Sequence, residues 1–210
     1  MTSPTSRRSI PLLILLALIW LPGPAATQPL TAPQQVVEKV SDELMRVLRE
    51  DRQLIERDPE YVYRLVDERF LPHVDFERVS ALVLGPVWRE ASPAQREAFG
   101  EEFKHMLIRS YAAAVNELSE WEIQYLPMSL DPDARNAIVR TRILRRGGQP
   151  TAVDYRMVRR GERWLAYDVS IEGVSLLANY RSSFVRLARE RGIDGLIADL
   201  ADRNLERQGS

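Results

Sequence analysis

Apolar residues recur along this chain at two different spacings, and the change of spacing divides it into a helical first half and a strand-rich second half. Val36, Val40, Leu44, Val47 and Leu48 repeat at helical intervals, with Glu38, Lys39, Asp42, Glu43 and Arg46 on the opposite side, which predicts an amphipathic helix. Asp58-Pro59 is an N-cap and first-turn pair for a second helix carrying Val62, Leu65, Val66 and Phe70, stopped by Pro72. A third begins near Asp75, presents Phe76, Val79, Leu82 and Val83, and ends at Gly85-Pro86. Ser92-Pro93-Ala94-Gln95 reads as a capping box with proline at the first helical position. It opens the longest helix, whose apolar side runs through Phe99, Phe103, Met106, Leu107, Tyr111, Val115 and Leu118 and is long enough to lie across a sheet.

Beyond that helix the pattern changes. Residues 121–128, 137–144, 151–158 and 164–171 are rich in Val, Ile, Tyr and Trp and read as four strands. Asp131-Pro132-Asp133, Arg146-Gly147-Gly148 and Arg160-Gly161 are turn chemistry, so the strands are expected to form an antiparallel meander. A helix over 175–191, ended by Gly192, and a short one over 196–205 close the chain. Helices first and sheet afterwards predict an α+β fold, a cone similar to the nuclear-transport-factor-2-like (NTF2-like) architecture, with a four-stranded antiparallel sheet packed by several helices around an apolar cavity. Such a hollow is where ligands bind, although a fold does not name the ligand.

The first residues differ in kind. Arg7 and Arg8 precede an apolar run from Ile10 to Leu21 and a small-residue zone ending at Ala25-Ala26, the pattern of a cleaved secretory signal peptide over 1–26. The run falls short of the roughly 20 apolar residues that a bilayer span needs. A flexible leader is expected over 27–33, one domain with a helical annex over 34–205, and a tail over 206–210. The 45% hydrophobic content is that of an ordinary globular protein. With no cysteine, the exported chain has neither a lipoprotein anchor site nor a disulfide, and its core alone must hold it together. Loss of the leader moves the formal net charge from −1 to −3, which argues against nucleic acid as a partner.

Catalytic and metal-binding inventories are thin. His73 stands at a helix end and His105 near the polar side of the long helix, neither in a motif, and no cofactor or metal site is predicted. No nucleophile elbow, phosphate-binding glycine loop or zinc-binding His pair is present. Asp154-Tyr155 and Tyr167-Asp168 are the local candidates for an enzyme of this fold acting on a small apolar substrate. Strand alternation counts against them. If Val153, Tyr155 and Met157 face the hollow, Asp154 faces away, and Leu165, Tyr167, Val169 and Ile171 share a face that excludes Asp168. The hollow is expected to be lined by Val153, Tyr155, Met157, Tyr167, Val169 and Ile171 from strands and by Leu107, Tyr111, Leu176, Leu177, Tyr180 and Phe184 from helices. The same stripes would equally serve as solid core, and so would Trp88 and Trp164.

Val74-Asp75-Phe76, Val83-Leu84-Gly85 with Trp88-Arg89, Ser92-Pro93-Ala94-Gln95-Arg96 with Phe99 and Phe103, Ser110-Tyr111, and the stretch from Trp164 to Phe184 resemble the MlaC family, also called toluene-tolerance auxiliary proteins. The resemblance covers about residues 34 to 205. It implies a non-enzymatic, monomeric periplasmic carrier that takes a phospholipid in an apolar cavity. Its implied partners are an outer-membrane lipoprotein complex and an inner-membrane ABC transporter with an MCE-type subunit, in machinery that maintains outer-membrane lipid asymmetry. Arg181 is the candidate contact for a headgroup phosphate, with a structural ion pair to Asp168 or Glu172 as its other expected role. A ligand-free structural adaptor is the remaining alternative.

Overall fold

The structure, a computed structural model, describes residues 29–116, 121–145 and 147–206; the predicted signal peptide lies outside them, as does the tail after 206. The helical half runs α1 (Ala32–Glu50), α2 (Arg52–Arg57), α3 (Pro59–Leu65), a π-helical turn (Val66–Phe70), a 3-10 turn (Leu71–His73), α4 (Phe76–Leu84), α5 (Pro86–Glu90) and α6 (Pro93–Asn116). The sheet follows as β1 (Glu122–Tyr125), β2 (Asn136–Leu144), β3 (Thr151–Arg160), β4 (Arg163–Ile171) and β5 (Val174–Ser175), and α7 (Leu176–Glu206) ends the described chain.

Local chemistry accounts for these boundaries. The Thr31 amide donates to Gln34 Oε1 at 2.9 Å, and the Gln34 side-chain amide donates to the Leu126 carbonyl at 2.9 Å, so the cap of α1 is also tied to the segment after β1. The Ser92 capping box forms as expected: the Gln95 amide donates to Ser92 Oγ at 3.2 Å and the Ser92 amide to Gln95 Oε1 at 3.0 Å. Gly192, at φ 74° and ψ 171°, breaks α7 into the two helices that the sequence predicts.

Among the described residues the sheet has five strands in the order β1-β2-β3-β4-β5, every neighbouring pair antiparallel. The additional strand is Val174–Ser175, whose second residue the sequence pattern assigns to the start of the last helix. Glu172 and Gly173 both take positive φ, 49° and 78°, the geometry of a two-residue hairpin turn, and this folds Val174–Ser175 back onto β4 before α7 begins. A second departure lies inside β4. Arg156 pairs with Asp168 but Met157 pairs with Ala166, leaving Tyr167 as the extra residue of a β-bulge. Beside the bulge Val74 forms a parallel bridge to Ala166, and the Asp75 amide donates to the Ala166 carbonyl at 2.8 Å.

Two solid cores flank this region. One joins α4, α6 and α7 through Val83, Leu84, Phe99, Phe103, Phe184, Ala188, Leu196 and Leu200. The other packs Val37 of α1 onto Val139, Met157 and Trp164 of the sheet. Phe99 is fully buried, 5.5 Å from Phe103 and 5.8 Å edge-on from Phe184 between ring centroids. Phe99→Ala is expected to destabilise the protein by about 3–5 kcal/mol, read as a lower urea midpoint with an unchanged m-value. A loss below about 1 kcal/mol would mean that this aromatic cluster does not hold the helices together.

Candidate functional site

Between α4, α6, the start of α7 and β4 lies an apolar cavity of about 230 Å³. Phe76 and Val79 come from α4, Phe103, Leu107 and Ile108 from α6, and Leu176, Leu177 and Tyr180 from α7. The bulge brings Ala166, Tyr167, Asp168 and Val169, four consecutive residues of β4, to its wall. A second apolar cavity, of about 200 Å³, lies beneath α1, α2 and α3, lined by Leu44, Val47, Leu48, Ile55, Val62, Leu65 and Tyr111. Val66, Phe70 and Ile108 line both.

Asp168, Lys104, Tyr111 and Tyr180 in these walls all have partners. Asp168 accepts from Ser175 Oγ at 2.8 Å and from the Leu177 amide at 3.3 Å, and Arg156 Nε stands 3.6 Å away. Ser175 Oγ in turn accepts from the Ala178 amide at 3.0 Å, so the pair caps α7 and orients Leu176 and Leu177. Lys104, whose side chain is 8% exposed, contributes to the first cavity's wall and pairs with Asp67 at 3.0 Å and Glu101 at 2.6 Å. Burial works to depress its ammonium pKa, but hydrogen bonds to the two carboxylates outweigh burial and raise it. Tyr180 Oη donates to Tyr111 Oη at 3.2 Å, joining the walls of the two cavities. Burial, with that hydrogen bond, raises the Tyr180 phenol above its ordinary value, so it stays neutral.

The π-helical turn is tied on its outer side as well. Arg69 pairs with Glu43 of α1, and Arg46 holds the same carboxylate at 2.8 Å. Hydrogen bonds from Arg46 and then Arg69 hold the Glu43 carboxyl down at about 2.

Of the residues expected in the hollow, Leu107, Tyr167, Val169, Leu176, Leu177 and Tyr180 line the first cavity and Tyr111 the second. The others line neither. Val153 is buried between Thr141 and Ile171 on the neighbouring strands, Met157 and Tyr155 belong to the core under α1, Phe184 belongs to the helical core, and Ile171 is 39% exposed beside the hairpin turn. The exclusion of Asp168 from the wall is corrected by the bulge, which breaks strict alternation in β4. Arg181 pairs with neither Asp168 nor Glu172. Its guanidinium packs so closely on Gly85 that a Cβ there would sit 3.2 Å from Nη2, in an outer groove with Pro86, Arg186 and Arg189. Sequence reasoning missed the lining residues of α1, α2, α3 and the π-helical turn, and also Leu71, Val74, Phe76, Val79, Phe103, Ile108 and Ala166; the apolar stripe of α1 was visible but carried no sign of an unfilled space beneath it.

Of the candidate acid–base pairs, Tyr167-Asp168 lines the first cavity and Asp154-Tyr155 lines neither, and the two histidines lie elsewhere. His73 lies in a polar groove with Lys39 and Asp42, its pKa lowered by burial and then by Lys39 and Arg163. His105 packs on the Tyr63 ring at 4.7 Å between centroids. Arg78 lies 4.2 Å from the centre of the Tyr167 ring. Among the described residues no group of three or more His, Asp or Glu could hold a metal ion, and no helix is long and apolar enough to cross a membrane.

A cone of helices on an antiparallel sheet, hollow and apolar where they meet, defines a receptacle for an apolar ligand. The family model described as MlaC protein matches residues 38–202, and the chain belongs to the MlaC family. It is 28% identical over 173 residues to the intermembrane phospholipid transport system binding protein MlaC of Haemophilus influenzae, covering 81% of each chain. To the toluene tolerance protein ttg2D of Pseudomonas putida it is 26% identical over 184 residues, 87% of this chain and 83% of that one. The solved phospholipid-binding protein of Ralstonia solanacearum, in complex with a phospholipid, superposes with a TM-score of 0.77 at 29% identity, covering 84% of this chain and 98% of that one.

The Glu43 cluster gives a pH prediction. A carboxyl whose folded pKa is about 2 against an ordinary 4.5 adds stability that is fully present above about 4.5 and is lost as the pH falls through about 2. Wild type should therefore exceed Glu43→Gln in urea midpoint at pH 6, and the gap should close progressively below pH 4.5. A gap that is constant from pH 6 to pH 2.5 would show that the ion cluster contributes nothing in solution.

Proposed function

We propose that the chain is a periplasmic carrier that holds a phospholipid by its acyl chains in the apolar cavity against β4 and moves it between membranes. The observation that carries this reading is an apolar space of about 230 Å³ between sheet and helices, in a chain whose fold matches that of a phospholipid-bound protein. Two acyl chains hold roughly 28 methylenes, and at about 0.8 kcal/mol each their exposure to water would cost on the order of 20 kcal/mol. Lipid cannot cross an aqueous space unaided at that cost. A protein that covers the tails and leaves the headgroup in water removes most of it, and a headgroup left in water needs no charged pocket.

The signal-peptide pattern over 1–26 and the lack of cysteine fit a freely diffusing shuttle. On this reading its two docking partners are an outer-membrane lipoprotein complex and the MCE-type subunit of an inner-membrane ABC transporter, and its activity maintains outer-membrane lipid asymmetry. The residues that would touch lipid are Leu107, Tyr167, Val169, Leu176, Leu177 and Tyr180. Arg181, turned onto Gly85, would reach a phosphate only after leaving that contact.

Native mass spectrometry of protein purified without added detergent should find a bound mass of several hundred daltons that extracts as phospholipid. Leu107→Asp should lower the lipid-bound fraction about tenfold or more, because a carboxylate in this wall must be desolvated against acyl chains. A bare wild-type chain in repeated preparations would refute the reading.

Delivery has its own test. Labelled lipid should reach plain acceptor vesicles slowly, and proteoliposomes bearing the transporter's MCE-type subunit much faster, since docking lets tails pass from one apolar lining to another. Equal rates would remove the docked handoff and leave a passive lipid-binding protein.

A further inference from the structure

We propose that the outer face of α7 from Arg181 to Arg189 is a docking surface for an anionic bilayer, against which it holds the protein by charge. The proposal goes beyond the phospholipid reading and does not depend on it, since nothing in it requires the cavity to be filled.

Charge is the first reason. Without residues 1–26, and so without Arg7 and Arg8, the chain has a formal net charge of −3; an anionic surface repels it as a whole, and any attraction has to come from one face. Residues 176–191 supply such a face, with Arg181, Arg186, Arg189 and Arg191 against Glu190 alone. Arg191 stands 3.8 Å from Asp199, and the other three line one open groove with Pro86, Ser182 and Val185. Arg186 pairs with Glu190 at 3.5 Å, while among the described residues Arg181 and Arg189 pair with no carboxylate.

Placement is the second reason. Eight residues of helix, from Arg181 to Arg189, span about 12 Å, enough for the guanidinium forks to meet more than one phosphate. The other side of the same helix is taken up by the core and the cavity: Phe184 and Ala188 are buried, and Leu177 and Tyr180 line the cavity against β4. A surface can therefore meet the arginines without entering the cavity.

The chain just ahead of α7 favours a bilayer over an acidic protein surface. Ile171 and Val174 pair across the Glu172-Gly173 turn and are 39% and 62% exposed, two of the four exposed large apolar side chains among the described residues. Exposed apolar residues joined to a basic helix face suit a membrane surface, with apolar groups among the headgroups and cations against the phosphates. The sheet provides a contrast. Arg140 and Arg142 are exposed too, but Arg140 stands opposite Asp154 on β3 and Arg156 lies 3.6 Å from Asp168, so carboxylates dilute that patch. Each arginine close to an anionic leaflet strengthens binding roughly fivefold, and three give on the order of a hundredfold. Such a contact orients the protein and still lets it leave.

The test is co-sedimentation with vesicles of palmitoyl-oleoyl phosphatidylcholine, alone or mixed two to one with palmitoyl-oleoyl phosphatidylglycerol. It uses exported protein whose intact mass shows the loss of residues 1–26, because the apolar run from Ile10 to Leu21 would itself bind vesicles. Wild type should sediment with the mixed vesicles and stay in solution with the neutral ones. Raising sodium chloride from about 0.1 M to about 1 M, which shortens the screening length from about 10 Å to about 3 Å, should release it. Arg186→Glu with Arg189→Glu should weaken partitioning about tenfold or more, whereas Arg140→Glu with Arg142→Glu, an equal change of charge on the sheet, should weaken it less than about threefold. Wild type that binds both kinds of vesicle alike, or that loses no more through the α7 pair than through the sheet pair, would overturn the proposal. So would wild type that ignores the mixed vesicles, which would leave an acidic protein surface as the partner of these arginines.

A measurement on wild type does not depend on how the variants fold. Mixed vesicles should protect Arg186 and Arg189, but not Arg140 and Arg142, from modification by phenylglyoxal mapped by mass spectrometry. Equal protection of both pairs, or of neither, would also overturn it. Lipid-free and lipid-loaded protein should bind these vesicles alike, so a failed cargo assay removes the carrier reading and leaves this one standing.

Discussion

An apolar space inside a protein stays open only if its walls are prevented from closing on it. Apolar walls without a packing partner forgo dispersion contacts, and domains are stable by only about 5–15 kcal/mol, so little else in the fold can be left loose. The rest of this structure answers that constraint. On one side Phe99, Phe103, Phe184 and Leu196 lock α6 to α7, and on the other Val37, Val139, Met157 and Trp164 lock α1 to the sheet. Any movement of these walls towards one another has to disturb one of these packed clusters.

The walls also need a backbone arrangement that regular strands and helices do not supply. An uninterrupted β4 would show alternate side chains to the helices and send the others outward. The bulge at Tyr167 instead brings four consecutive positions to one wall, while the Asp168 carboxylate accepts from Ser175 Oγ and the Leu177 amide and so fixes the helix that brings Leu176, Leu177 and Tyr180 across. Arg78 over the Tyr167 ring and Val74 beside Ala166 hold the bulge from the α4 side.

Most of the architecture was legible because it depends on local signals. The capping box at Ser92, the break at Gly192 and the apolar stripe of α6 each act over a few residues, and each is found where the spacing predicts. Half of the predicted wall was legible for the same reason, since Leu107, Leu177 and Tyr180 lie on regular helical stripes. The remainder was not, because periodicity reports which face of an element is covered and never whether its cover is protein or empty space. Val153 and Met157 face inward as expected but meet α1 or neighbouring strands, not the hollow. Asp168 could not be placed by alternation, since a bulge inserts one residue and breaks the pattern around it. The π-helical turn is a further case: Val62, Leu65, Val66 and Phe70 fit a continuous helix, and nothing in their spacing marks the extra residue.

Stability and cargo are coupled in such a molecule. On the carrier reading, a lipid that fills the cavity restores dispersion contacts that the empty walls lack and stabilises the folded state by an amount that rises with its free concentration relative to its Kd. The empty form is then the less stable one, and its exposed walls are covered only when lipid arrives. Release into water would incur the cost of the bare tails together with that of the reopened void. Transfer through a docked partner avoids the first of these, and leaves the second as a modest force favouring the next loading.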